Sequence, residues 1–169
     1  MTQLEEAIAP KYKSIDELPY RKGTIGIITD DENNFLVVQM VDYGENDWRF
    51  PGGGVEDEEK EEETILRELN EELGTDKFEL LKRSKNLIKY DWPEHVVINQ
   101  IKNKNRYFRG QTQTQFLIKF TGNKEDIKVD PGELRQIKWI KREEFKDYLH
   151  FEHELEEAEK VLEELLENK

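Results

Sequence analysis

Cysteine is absent from this chain, which excludes disulfides, thiolate nucleophiles and zinc held by sulfur. No apolar run approaches the ~20 residues that a helix needs to cross a bilayer. The first residues, MTQLEEAIAPKYK, place acids where a secretory signal has a basic stretch followed by an apolar one. A soluble, cytoplasmic protein without a membrane partner is therefore expected. Histidine is scarce: His95, His150 and His153 lack the HExxH spacing of a zinc site and read as surface or packing residues. No Ser, His, Asp arrangement for nucleophilic catalysis is recognisable either. Positive charge is in deficit, with Lys+Arg 26 against Asp+Glu 39 and a net charge of −13. Broad nucleic-acid binding relies on a basic field that this chain lacks. A phosphate held locally by a cation and a few basic side chains is still compatible with it.

The 169 residues, 35% hydrophobic and 38% charged, suffice for one domain with a compact core under a heavily charged surface. Residues 1–19 carry an amphipathic segment at 4–8 and two prolines, Pro10 and Pro19, and read as an arm on a single domain spanning 20–169. TIGIIT at 24–29 and FLVVQMV at 35–41 flank the turn cluster 30–34 and predict a hairpin. A short strand at 48–50 then leads into a loop of Gly52, Gly53 and Gly54, where the backbone can approach a ligand closely. Further on, 78–87 predicts a strand, INQIKNKNR at 98–106 a loop, 113–120 a strand and 138–140 a short strand. The polar stretch 121–133 reads as a loop with Asp130-Pro131-Gly132 as its turn. Lys102, Lys104, Arg106 and Arg109 make one region basic, either as a solvated loop or as one that faces phosphate. REEFKDYL at 142–149 begins a helix or turn. The C-terminal HELEEAEKVLEELLENK is an amphipathic helix, with Leu155, Ala158, Leu162 and Leu165 or Leu166 at helical spacing. Strands interleaved with a central and a terminal helix predict an α/β domain whose helices cover a mixed sheet.

The stretch that organises the rest is GGVEDEEKEEETILRELNEELGT, residues 53–75. A helical pattern follows the glycines and stops at Gly74, which tolerates a left-handed conformation. At ~100° per residue, Ile65, Leu66, Leu69 and Leu73 share one stripe, and Glu68, Glu71 and Glu72 share another centred ~120° away. Carboxylates ~5.5 Å apart repel by roughly 3 kcal/mol per pair at an effective dielectric of 20, so something must neutralise them. Oxygen-only ligands suit a hard divalent ion such as Mg²⁺ or Mn²⁺ combined with water and substrate phosphate. Arg67, four residues before Glu71, can hold a carboxylate in orientation. Glu58, Glu61, Glu62 and Glu63 read instead as solvated helix surface.

Gly53, Glu59, Arg67-Glu68-Leu69, Glu71-Glu72 and Gly74, at this spacing, resemble the complete box of the Nudix hydrolases. Thr75 departs from the aliphatic residue usual at the last position. The resemblance implies an α/β/α sandwich and hydrolysis of a phosphoanhydride by water. It implies metal ligation by Glu72, Glu68, Glu71 and the Gly52 carbonyl, with Arg67 and Glu59 orienting the acids. IKYDWPEHV at 88–96, YFRGQTQTQF at 107–116 and the acid-then-KWI run at 133–140 narrow it. They are similar to the branch holding bacterial RNA pyrophosphohydrolases and asymmetrically cleaving dinucleoside polyphosphate hydrolases. That likeness gives Glu133 the role of a supplementary metal-site acid and base, and points to Tyr107, Gln111 and Gln113 as substrate contacts. Phe151 lies where the RNA enzyme stacks an aromatic on a base, although it reads equally as a core residue at the start of a helix. Glu152 stands where that enzyme has a basic residue. Arg21 and Arg49 match phosphate in geometry. Dinucleoside polyphosphates are thus the expected substrates. RNA 5′ ends are the second reading, and a nucleotide sensor without turnover is a third.

Overall fold

The two longest β runs become neighbours: β1 (Tyr20–Thr29) and β6 (Gly110–Phe120) lie in parallel, from Tyr20 opposite Gly110 to Thr29 opposite Lys119. They form the centre of a mixed sheet in a computed structural model. It describes every residue except Tyr43, Glu152, His153, Asn168 and Lys169, and all side chains of the rest except that of Glu167. The other strands are β2 (Phe35–Met40), β3 (Gly52–Gly54), β4 (Phe78–Arg83), β5 (Ile88–Asp91) and β7 (Leu134–Ile140). The sheet runs β4-β6-β1-β2-β7, with β3 added to β1 and β5 to β6. The helices are α1 (Gln3–Ile8), α2 (Glu61–Leu73), α3 (Glu94–Lys104), α4 (Phe145–Tyr148) and α5 (Glu154–Glu167).

Alternation along the strands sorts side chains into two cores. Ile28, Leu36, Val38, Phe116 and Ile118 face Ile65, Leu69 and Leu73 of α2. Ile27, Phe35, Val37 and Leu117 face Phe145 of α4 and Ala158, Val161, Leu162 and Leu165 of α5. The result is the expected α/β/α sandwich. A third cluster joins Ala7 and Ile8 of α1 to Val97 and Ile101 of α3.

Several expectations change. The loop expected at 98–106 is mostly α3: Val97 and Ile101, one helical turn apart, are buried against α1. Only that tertiary burial makes so polar a segment a helix. The strand expected at 78–87 stops at Arg83, and a second strand, β5, starts only at Ile88; the two pair with different stretches of β6. At the break, the Ser84 N–H still donates to the Gln115 carbonyl (2.9 Å), but the Gln115 N–H donates to the Ser84 hydroxyl (3.2 Å), so a side chain takes over half of the pairing. Residues 48–50 form only an isolated bridge, Arg49 to Val38. The strand is the glycine run itself, Gly52 to Gly54 opposite Ile25 to Gly23. Leu66, placed on the core stripe by helical arithmetic, is 38% exposed, and Thr64 is buried instead.

Candidate active site

Burial fixes the roll of α2. Ile65, Leu69 and Leu73 are fully buried, each stabilising by about 2 kcal/mol, while Arg67 offsets the repulsion among the acids. The helix therefore seats its apolar stripe on the sheet and turns its acids toward β3. It ends at Gly74, with φ 66° and an N–H donated to the Asn70 carbonyl at 2.9 Å.

The glycines of β3 provide the floor. A Cβ on Gly53 would lie 2.2 Å from the Glu68 carboxyl carbon, and one on Gly54 2.2 Å from Nη2 of Arg21. The acid and the guanidinium thus lie on opposite faces of β3, each against a residue that has no side chain. Thr24 fixes this strand, its hydroxyl donating to the Gly53 carbonyl at 3.0 Å.

A loop from the far side completes the group. The Lys128 N–H donates to the Leu73 carbonyl (2.8 Å) and the Asp130 N–H to the Glu72 carbonyl (3.0 Å), tying residues 128–130 to the end of α2. Asp130 then closes its own turn by accepting from Gly132 N–H at 2.9 Å. Glu133 follows, and the carboxylate oxygens of Glu68, Glu72 and Glu133 come within 4.8 Å of one another.

Charge is unevenly balanced here. Glu72 is 2% exposed, and its Oε2 is buried with no hydrogen-bond partner. Burial pushes its carboxyl up to about 8, with Glu68, Glu133 and Glu71 adding to the shift and Arg49 opposing it. Burial also raises Glu68, against the pull of Arg67. Arg67 holds Glu59 with two bonds, Nε to Oε2 at 2.6 Å and Nη2 to Oε1 at 3.0 Å, and reaches Glu68 at 3.1 Å and Glu71 at 3.2 Å through Nη1. Its hydrogen bond, with a second from Thr64, holds Glu59 down to about 2. Such bidentate pairing fixes the plane of the guanidinium as well as its place. An oxygen-only set with one buried, unpartnered carboxylate has the chemistry to hold a hard divalent cation.

A model of the NUDIX domain matches residues 19–165. The chain belongs to the NUDIX family. Among its relatives, the RNA pyrophosphohydrolase of Orientia tsutsugamushi (strain Boryong) is 35% identical over 132 residues, 77% of this chain and 80% of that one. The RNA pyrophosphohydrolase of Rickettsia rickettsii (strain Sheila Smith) is 37% identical over 130 residues, 76% and 79% of the two chains. The solved E. coli dihydroneopterin triphosphate pyrophosphohydrolase shares the fold, with a TM-score of 0.65 at 19% identity over 85% of this chain and 98% of that one. So does a C. elegans Ap4A hydrolase in a binary complex, with a TM-score of 0.59 at 16% identity over 82% and 93%.

Within this NUDIX chain the expected residues separate. Glu68, Glu72 and Glu133 converge. Glu71 does not join that group: its side chain is 50% exposed and paired with Arg67. Gly52 forms β3 opposite Ile25, where a Cβ would strike the Thr24 carbonyl oxygen at 1.9 Å. Arg21 and Arg49 both lie within electrostatic reach of the acids, Arg21 of Glu68 and Arg49 of Glu72. Tyr107 sits elsewhere, packed on Tyr12 with ring centroids 5.8 Å apart and under Lys11 Nζ at 4.7 Å. Gln111 and Gln113 both contact the Tyr90 hydroxyl at 3.4 Å. Phe151 is 41% exposed and so is not a core residue. Glu152 and His153 lie outside the described residues. Two polar residues escaped the sequence reading. Glu154, at the start of α5, has its Oε2 buried without a partner among the described residues, and burial pushes it up to about 7 against the pull of Arg49. Arg106 was seen only as part of a basic stretch, yet its charge reaches Arg21.

Proposed function

We propose that this chain hydrolyses a phosphoanhydride bond of a nucleotide polyphosphate, using Mg²⁺ or Mn²⁺ held by Glu68, Glu72 and Glu133. The supporting observation is the convergence of these three carboxylates around a buried, unpartnered Glu72 oxygen. A cation bound there would polarise a phosphoryl oxygen and lower the pKa of a water. The chain's own residues do the rest. Arg67, locked to Glu59, bridges Glu68 and Glu71 through one nitrogen and offsets their repulsion. Glu133, half-buried at the edge of the group, is placed to take the proton of the attacking water. Arg21, a guanidinium with no hydrogen bond or ion pair among the described residues, is available to the phosphate as it gains charge. No covalent intermediate is required.

The relatives' names favour the 5′-polyphosphate end of RNA as substrate. The net charge of −13 favours a small dinucleoside polyphosphate, which is repelled less than a long RNA, and this is the second reading. Exposed Phe151 suits stacking on a base in either case. The protein should be incubated with Mg²⁺ and a panel of 5′-triphosphorylated RNA, dinucleoside polyphosphates, nucleoside triphosphates and sugar nucleotides, and the products identified. Release of phosphate or pyrophosphate from RNA is expected. Binding without turnover of any compound would overturn the hydrolytic reading in favour of a sensor.

A further inference from the structure

Apolar packing presses α2 onto the sheet, but burial is non-directional and sets the roll of the helix only to within the width of its buried stripe. The acids need a finer setting. A side-chain oxygen stands roughly 6 Å from a helix axis, so a roll of about 10° moves it by about 1 Å, a misplacement that can lower a rate about a hundredfold. Directional bonds at both ends of α2 remove this play. The last turn is tied by the N–H groups of Lys128 and Asp130. The first turn is tied through Glu61, which its sequence context places on solvated helix surface.

Glu61 is instead half-buried, and its Oε2 accepts from the Thr114 hydroxyl at 2.6 Å and from Nη2 of Arg83 at 2.5 Å. Arg83 reaches Glu62 through Nη1 at 2.5 Å and lies over the Phe116 ring at 5.8 Å. Thr114 is 2% exposed on β6, and the parallel register makes it the neighbour of Thr24 on β1. These two buried hydroxyls hold the two walls of the site. Thr24 holds the glycine strand through the Gly53 carbonyl, and Thr114 holds the helix. Glu61 precedes Glu68 by seven residues and Glu72 by eleven, so at ~100° per residue all three leave α2 within ~40° of one another. The face fastened to β6 is therefore the face that carries the converging acids.

We infer that Thr114 and Glu61 are positioning residues for the reaction: their bond fixes the roll of α2 and with it the reach of Glu68 and Glu72 toward Glu133. Neither belongs to the converging group itself, so both act through the helix. This rests on the function proposed above.

The test reads calorimetric affinity for Mn²⁺ alone, together with kcat and KM for diadenosine tetraphosphate and a 5′-triphosphorylated RNA, all well below the melting midpoint of each variant. Thr114→Val, which keeps the shape and removes the hydroxyl, should weaken Mn²⁺ about fivefold and lower kcat about tenfold, with KM unchanged within about twofold. Thr114→Ser should recover most of both losses. Glu61→Ala should match Thr114→Val, the double variant should lose no more than either alone, and Glu61→Gln, still an acceptor, should lose less. Glu63→Gln removes a carboxylate from an exposed position in the same turn and should change neither quantity. A bond that serves stability alone would lower the melting temperature of Thr114→Val and leave its Mn²⁺ affinity and kcat at the parent's values. That result, or additive losses in the double variant, would overturn the assignment. Weaker Mn²⁺ binding in Thr114→Val and Glu61→Ala without turnover by any form removes hydrolysis and keeps the positioning role, while undiminished turnover and affinity in both do the reverse.

Discussion

Replacing Glu72 with Gln separates the cost of the site from its use. The carboxyl stands at about 8 against an ordinary 4.5. An acid whose pKa rises on folding contributes stability that is fully present below pH 4.5 and is lost as pH rises toward 8. At pH 7 the loss amounts to roughly 3 kcal/mol, and above pH 8 to roughly 5 kcal/mol, at ~1.36 kcal/mol per unit. Gln carries no charge and avoids this loss. Without divalent cations, Glu72→Gln should therefore melt about 6–12 °C higher than the parent protein at pH 7. The gap should widen to pH 8 and shrink to under about 1 kcal/mol at pH 5. With Mn²⁺ or Mg²⁺ at about a hundred times its dissociation constant, the parent should gain about 2.7 kcal/mol and the variant almost nothing, and hydrolysis by the variant should fall by about a hundredfold or more. Melting curves from pH 5 to 9, with and without cation, read every part of this. A variant that melts below the parent at pH 8 without cation, or that gains as much from cation, would refute the reasoning.

Three further outcomes follow from the geometry. Gly53→Ala should push the Glu68 carboxylate aside, lowering hydrolysis at least about tenfold while shifting the melting temperature little, as melts and rate assays on one preparation would check. Glu68→Gln should weaken Mn²⁺ binding in a titration far more than Glu71→Gln, because Glu71 stands half exposed on Arg67 and outside the converging group. Tyr107→Ala should destabilise the α1–α3 cluster by about 1–3 kcal/mol and leave KM for nucleotide unchanged within about twofold, which steady-state kinetics and a denaturant melt would measure.

Periodicity in residues 61–74 gave α2, its buried stripe and its glycine stop, because a helix long enough to seat on a sheet shows its faces in its own spacing. It misjudged Leu66, since an angle on a wheel says nothing of where the sheet's edge lies. The α3 helix was illegible: INQIKNKNR has too few apolar residues to announce itself, and it becomes helical by packing on α1. The run at 78–87 looked continuous because the interruption is made by Gln115 bonding Ser84, a partner 31 residues away.

The site divides in the same way. The chain's own spacing determined that acids would leave one face of a helix after three glycines, with Arg67 among them, and that a cation and phosphate chemistry would suit them. Folding decided which acids meet. Glu133 arrives on a separate loop, and Glu71 turns out to Arg67. Charge at close range depends on distance and on exclusion of water, and both are properties of the assembled layers rather than of any one segment.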